Sequence, residues 1–232
     1  MGTILLSNIY VGVALSLLGF FIGDKVNKKL KTPLANPLLI GSIFVWVVLE
    51  LLQVETAVYQ QSNAFLHAIL PPATVCLAVP MYEKVSVLRQ NLAAILISVF
   101  AGVLSSIVSV FLFVLLINLN FVETIALLVR SITTPIALGI TEPHGPEAVG
   151  LTALFIALTG ISGNVMGVSL LKLFAIKHPI AMGLAFGTSS HVLGTTKALQ
   201  LGAVQGAMSS LSIVVAGFMT VLILPLVETL LF

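Results

Sequence analysis

The chain has 232 residues, of which 59% are hydrophobic and only 8% charged, and its formal net charge is +2. That charged share is about a third of a soluble domain's usual level, and 232 residues are too few to enclose so much apolar surface in a soluble core. The single cysteine, Cys76, excludes an intrachain disulfide, and no nucleotide loop, haem motif or nucleic-acid patch is present.

Several apolar runs reach the roughly 20 residues that a helix needs to cross a bilayer. The expected fold class is therefore an all-α integral membrane protein with about 6–8 transmembrane segments, two of them interrupted. The first span is predicted over residues 3–23. No basic residue precedes it and no small-residue cleavage site follows, so it reads as a retained span rather than a signal peptide. It runs into "GDKVNKKLK", a stop-transfer pattern expected to form a loop that carries Lys25, Lys28, Lys29 and Lys31. The positive-inside tendency places that loop in the cytoplasm and the N-terminus outside. A second span is expected over 34–52, opening at Pro33 and Pro37, and a less apolar helix over 56–70.

"LPPATVCLAVPMYE" (70–83) then reads as a broken segment, with Pro71, Pro72, Thr74 and Pro80 interrupting it. A long span is expected over 90–117. The next begins near Phe121 and is interrupted at Thr133, Thr134 and Pro135. The polar knot "TEPHGPE" follows; Glu142, His144 and Glu147 lack helical metal-ligand spacing, and a solvated loop suits them better. A span over 148–176 contains "GISGN", where Asn164 is either a ligand or part of a small-residue packing seam. Arg130 either snorkels to the interface or pairs with Glu123. A final span covers 203–230.

"GTSSHVLGTTKAL" (187–199) concentrates hydroxyls, a histidine and a lysine in an otherwise apolar chain. Read as a broken helix, it offers Ser189 or Ser190 as an N-cap, and its free N–H groups would attract an anion. Ser190, His191, Gly194, Thr195 and Thr196 crowd the first turns. Lys197 lies about 10 Å further along the axis from Ser190. A lysine inside a span is costly unless it is used or reaches a helix end.

The order of events repeats weakly: a broken segment (71–82, then 187–199) precedes a long span in each half. The expected repeats are residues 1–118 and 119–232 of one membrane domain. Paired broken helices in two halves are the sequence pointer to a transporter's site. Counting Lys and Arg on either side does not decide whether the broken segments cross the bilayer or re-enter, and both arrangements stay open; the re-entrant one makes the halves inverted.

"LPPATVCLAVPMYEKVSVLRQN", "RSITTPIALGI" (130–140) and "GLAFGTSSHVLGTTKALQLGAVQGAMSSLSIVVAG" (183–217) together resemble the LrgB/CidB family over nearly the whole chain. Bacterial members are described as antiholin-like membrane proteins, paired with a small LrgA/CidA-type partner and linked to autolysis control and to pyruvate movement. A plastid relative moves glycolate and glycerate. The resemblance implies a multi-pass plasma-membrane transporter of small carboxylates, open to proton coupling through His191. The alternative it implies is an antiholin-like regulator that controls murein hydrolase activity with the small partner. Lys197 stands where the family's usual form carries arginine, which keeps the charge but not a bidentate grip. The candidate substrate-binding residues are Ser189, Ser190, His191, Gly194, Thr195, Thr196, Lys197, Thr133, Thr134, Pro135, Asn164, Pro72 and Thr74. No catalytic residue, metal or cofactor is expected. The expected partners are the lipid bilayer, the small membrane subunit and a second copy of the chain in a homodimer.

Overall fold

The computed structural model describes residues 8–30, 37–76, 78–83 and 85–231. Residues 3–7 of the first predicted span, Lys31, Pro33, residues 34–36 and Lys84 lie outside them, as do the side chains of Pro71, Thr74 and Pro80. All regular structure among the described residues is helical. Four helical stretches among the described residues are long and apolar enough to span a bilayer: Tyr10–Leu30, Leu92–Ile117, Pro146–Leu173 and Ala203–Thr229. Pro37–Leu51 is apolar but shorter. Large apolar side chains point outward along these helices, including Ile97, Leu112, Leu116, Phe218 and Leu222. Such surfaces suit lipid, and the chain is an all-α membrane protein.

The chain forms two compact units, Met1–Val75 and Cys76–Phe232. In the first, α1 (Ile9–Leu30) packs on α2 (Pro37–Leu51), and α3 (Thr56–Ser62) and α4 (Ala64–Cys76) follow. Glycines set the α1–α2 seam: a Cβ on Gly41 would lie 2.9 Å from the backbone of Gly19, so the two backbones touch directly. Ser16 Oγ ties α1 to α3, lying 2.7 Å from Tyr59 Oη and 2.9 Å from Asn63 Oδ1. Two expectations need correction here. Lys25, Lys28 and Lys29 are not in a loop; α1 continues through them. Lysine is a good helix former, and Lys28 Nζ pairs with Asp24 one turn back at 2.6 Å. The expected broken segment over 71–82 is helical through Pro71–Pro72, since a proline bends a helix without having to end it; the helix ends instead at Cys76, and a separate short helix starts at Ala78.

The second unit begins with two short helices, α5 (Ala78–Glu83) and α6 (Val85–Gln90). Next comes α7 (Leu92–Ile117), closed by Asn118 in the left-handed conformation at φ 53. Then follow α8 (Phe121–Leu128), α9 (Thr134–Thr141), a 3₁₀ turn at Glu142–His144, α10 (Pro146–Leu173), α11 (Pro179–Leu201) and α12 (Ala203–Leu231). Ile95, Val99 and Val103, spaced by four on α7, pack against Leu184 of α11 and Met208 and Leu211 of α12.

α11 is two half-helices. Ser190 (φ −138, ψ 18) and His191 (φ 41, ψ −137) leave helical geometry, and the chain doubles back. Gly194 comes so close to the Phe186 carbonyl that a Cβ there would lie 2.5 Å from it, although eight residues of straight helix would separate them by about 12 Å. The neighbours on α12 confirm the reversal. Gly183 abuts Gln205 and Met208, and Gly187 abuts Ser209 and Ser212. On the return limb Thr195 meets Ser209 and Leu199 meets Gly206. Residues 179–189 and 192–201 are thus antiparallel limbs of a hairpin that leaves at the end where it began.

α8 and α9 form a second hairpin. Asn120 and Glu123 build a reciprocal capping box at its start. The Phe121 ring stacks edge-on against His144, centroids 5.2 Å apart, so its two outer ends lie side by side. Its tip is Val129–Thr133. Val129 and Ile132 at that tip pack in one apolar cluster with Ile156 of α10. The Ile156 carbonyl accepts a hydrogen bond from His191 Nε2 at 3.0 Å, and Gly163 gives way to Ser190. Ten residues separate Ile156 from Pro146, and ten separate Gly163 from Leu173. The two hairpins therefore come in from opposite ends and bring their tips together halfway along α10.

Candidate site between the hairpin tips

A cavity of about 540 Å³ opens between the tips. Arg130 and Ser131 line it from the α8–α9 tip, and Thr188 and Ser189 from the α11 tip. α7 supplies Ser98, Gly102, Ser105, Ser106 and Ser109, and α10 supplies Thr159. Ala181, Leu184 and Ala185 of α11 complete the wall. On α7 the cavity stops about two turns short of either helix end, so it occupies the middle of the span. Hydroxyls and one guanidinium at that depth are expensive to bury away from water or a ligand.

Why the backbone can break here is visible locally. Pro135 sits in the first turn of α9, where its missing N–H would have no intrahelical partner anyway. The Arg130 guanidinium satisfies the end of α8 instead, donating from Nη1 to the Leu127 carbonyl at 2.9 Å. Its Nη2 reaches Ser109 Oγ at 3.3 Å. Arg130 does not pair with Glu123, whose carboxylate is held by the Asn120 N–H at 2.8 Å. At the other tip Ser189 Oγ donates back to the Ala185 carbonyl at 2.7 Å, and Ser190 Oγ lies 3.0 Å from it.

Of the residues predicted from sequence, Ser189 lines the cavity. Ser190, His191, Gly194 and Thr195 are buried in the packing that holds the α11 tip. Thr195 Oγ1 donates to the His191 carbonyl at 3.1 Å and lies 2.7 Å from Ser209 Oγ. Asn164 Nδ2 donates to the Leu193 carbonyl at 3.0 Å and lies 3.4 Å from Thr196 Oγ1, tying the return limb to α10. Lys197 Nζ bonds Gln200 Oε1 at 3.2 Å. Thr133 is buried and occupies the N-cap position of α9 without a side-chain cap bond, Thr134 is half-buried and Pro135 exposed. Pro72 is exposed in the first unit. No group of three or more His, Cys, Asp or Glu that could hold a metal occurs among the described residues.

Sequence reasoning missed the α7 wall. Ser98, Gly102, Ser105 and Ser109 fall at i, i+4, i+7 and i+11, one narrow stripe on a helix. That spacing was available, but the apolar residues around it hide it in a linear reading. Thr159 is hidden in the same way, whereas Thr188 lies inside the polar stretch 187–199 and is not among the candidate residues.

Fold and cavity define a class: polytopic helical membrane proteins with opposed half-span hairpins around a polar pocket. Within it the assignment is specific. Residues 16–230 match the LrgB-like family, and the chain belongs to that family. Among its relatives, the holin-like protein CidB of Staphylococcus epidermidis is 32% identical over 213 residues, 92% of this chain and 93% of its own length. The antiholin-like protein LrgB of Bacillus cereus is 31% identical over 225 residues, 94% of each chain. YwbG of Bacillus subtilis is 33% identical over 215 residues, 93% of this chain and 95% of its own. No solved structure matches the chain.

Proposed function

We propose that this protein governs passage of small solutes across the plasma membrane, and that it does so by carrying small carboxylates through the cavity between its hairpin tips. One observation carries the reading: hydroxyls and a guanidinium gather around a cavity at mid-span, where two half-helices from opposite ends meet. Opposed broken helices suit alternating access, because the site can be exposed to one side at a time by small tip movements. In this reading Ser189 and its neighbours along the cavity contact the solute, while His191, Gly194, Thr195 and Asn164 hold the tip in place. The lysine-rich end of α1 faces the cytoplasm.

The names of the relatives favour a second reading, and favour it more directly than they favour a carrier. CidB and LrgB are called holin-like and antiholin-like. By that analogy the chain regulates autolysis together with a small LrgA/CidA-type subunit. Uptake of labelled pyruvate and glycolate into liposomes separates the two. Saturable uptake by the purified chain alone is expected of a carrier. Leakage of unrelated solutes, appearing only when the small subunit is added, would replace the carrier with the regulator.

A further inference from the structure

We infer that Arg130 is the anion-binding residue of the mid-span cavity and sets its preference for negative solutes, an inference that rests on the cavity being a solute path. Arg130 stands at the α8–α9 tip, half-buried, with its guanidinium in the cavity wall. Arginine has five N–H donors and stays charged under all ordinary conditions. The bonds to Leu127 and Ser109 engage two of them, leaving three. Among the described residues no carboxylate lies within ion-pair range of it. A cation at this depth with three donors left over is stabilised by water or an anion that takes them up.

The surroundings fit that role. Ser109 spends its own proton on the Ser106 carbonyl at 2.7 Å, so it presents a lone pair to Nη2 and fixes the guanidinium plane. Ser106, Ser131 and Thr188 line the same cavity, and their hydroxyls make no hydrogen bond to other described residues, which leaves them free to donate to carboxylate oxygens. Lys197, the cation that the sequence points to first, bonds Gln200 and is not among the described lining residues. Lys172, Lys177 and Arg89 are exposed near helix ends. The described cavity wall thus holds a single formal charge, and it is positive. A planar guanidinium can also grip a carboxylate with two parallel bonds, which an ammonium cannot.

The test needs no knowledge of the natural solute. The full chain carrying Cys76→Ser and Ser106→Cys is reconstituted and treated with two methanethiosulfonate reagents, one bearing a sulfonate and one a trimethylammonium group. Each rate is divided by the reagent's rate on a free thiol. With Arg130 intact, the anionic reagent is expected to react roughly tenfold faster than the cationic one, as a fixed charge within a few ångströms in a partly desolvated site demands. Arg130→Gln should remove the preference, and Arg130→Lys should retain most of it. Modification without anionic preference in the Arg130-intact chain would overturn the role of Arg130 and leave the solute path standing. Failure of both reagents to modify Ser106→Cys in folded protein would show a dry cavity and overturn the path and the anion site together.

Discussion

The break in α11 rests on one residue whose backbone and side chain work against each other, and a pair of substitutions separates them. His191 adopts φ 41, ψ −137, a positive-φ conformation that side chains with a Cβ rarely take and that costs on the order of 1–3 kcal/mol for a residue other than glycine. Its side chain is 4% exposed and donates from Nε2 to the Ile156 carbonyl, a bond worth about 1 kcal/mol net. Both His191→Ala and His191→Gly lose that bond and the ring's packing, so those losses cancel between them. What differs is the backbone. Alanine keeps the strain; glycine relieves it, at an entropic cost of roughly 0.5–1 kcal/mol. His191→Gly should therefore be the more stable of the two by about 1 kcal/mol, or about 2–4 °C in Tm for a chain of this size. Thermal unfolding of both variants in one detergent measures the difference. His191→Ala more stable than His191→Gly by the same margin would refute the positive-φ tip and the hairpin built on it.

Other expectations follow from the same packing. Gly163→Leu drives a side chain into Ser190 and should displace the α11 tip, with at least 1–3 kcal/mol of lost stability from overpacking; unchanged Tm and unchanged cavity accessibility would contradict the contact. Asn164→Ala removes the tie from α10 to the return limb and should cost about 1 kcal/mol, seen as faster amide exchange over residues 192–201 than in the parent. Asp24→Asn breaks the Asp24–Lys28 pair, but both groups reach solvent, so Tm should move by less than the roughly 2 °C expected of a change near 0.5 kcal/mol. A larger fall would mean that the end of α1 is more enclosed than its exposure indicates.

Much of this fold can be read in the sequence because lipid imposes a simple rule. Unbroken apolar runs give α7, α10 and α12 within a few residues, since a bilayer rewards nothing else of that length. The breaks at Thr133–Pro135 and at Ser190–His191 stand out because clustered hydroxyls, proline and glycine are dear in such surroundings. What the string hides is which breaks meet. The sequence pairs residues 71–82 with 187–199, yet the tip facing Ser189 across the cavity is that of Arg130 and Ser131. Pairing depends on the doubling back at His191, which no local residue preference announces; glycine would have, and histidine does not. The α7 serines escape for another reason. They face the cavity only once wrapped on a helix, and singly each looks like a tolerated small residue. Lys197 stands out as a charge inside an apolar segment, whereas Arg130 reads equally as a snorkelling residue or a partner of Glu123. In the fold Lys197 bonds Gln200 and Arg130 lines the cavity from a hairpin tip.

Whether the two tips meet can be asked directly in the membrane. In a Cys76→Ser background, Ser131→Cys and Ser189→Cys are introduced singly and together, and treated with a short bifunctional thiol reagent in intact membranes. Both positions line the same cavity from opposite tips, so the double variant should become cross-linked within one chain, giving a band that shifts on gels and reverts on cleavage of the linker. If each cysteine is modified singly and the pair is never bridged, the tips do not face each other, and the mid-span cavity with everything proposed for it is contradicted.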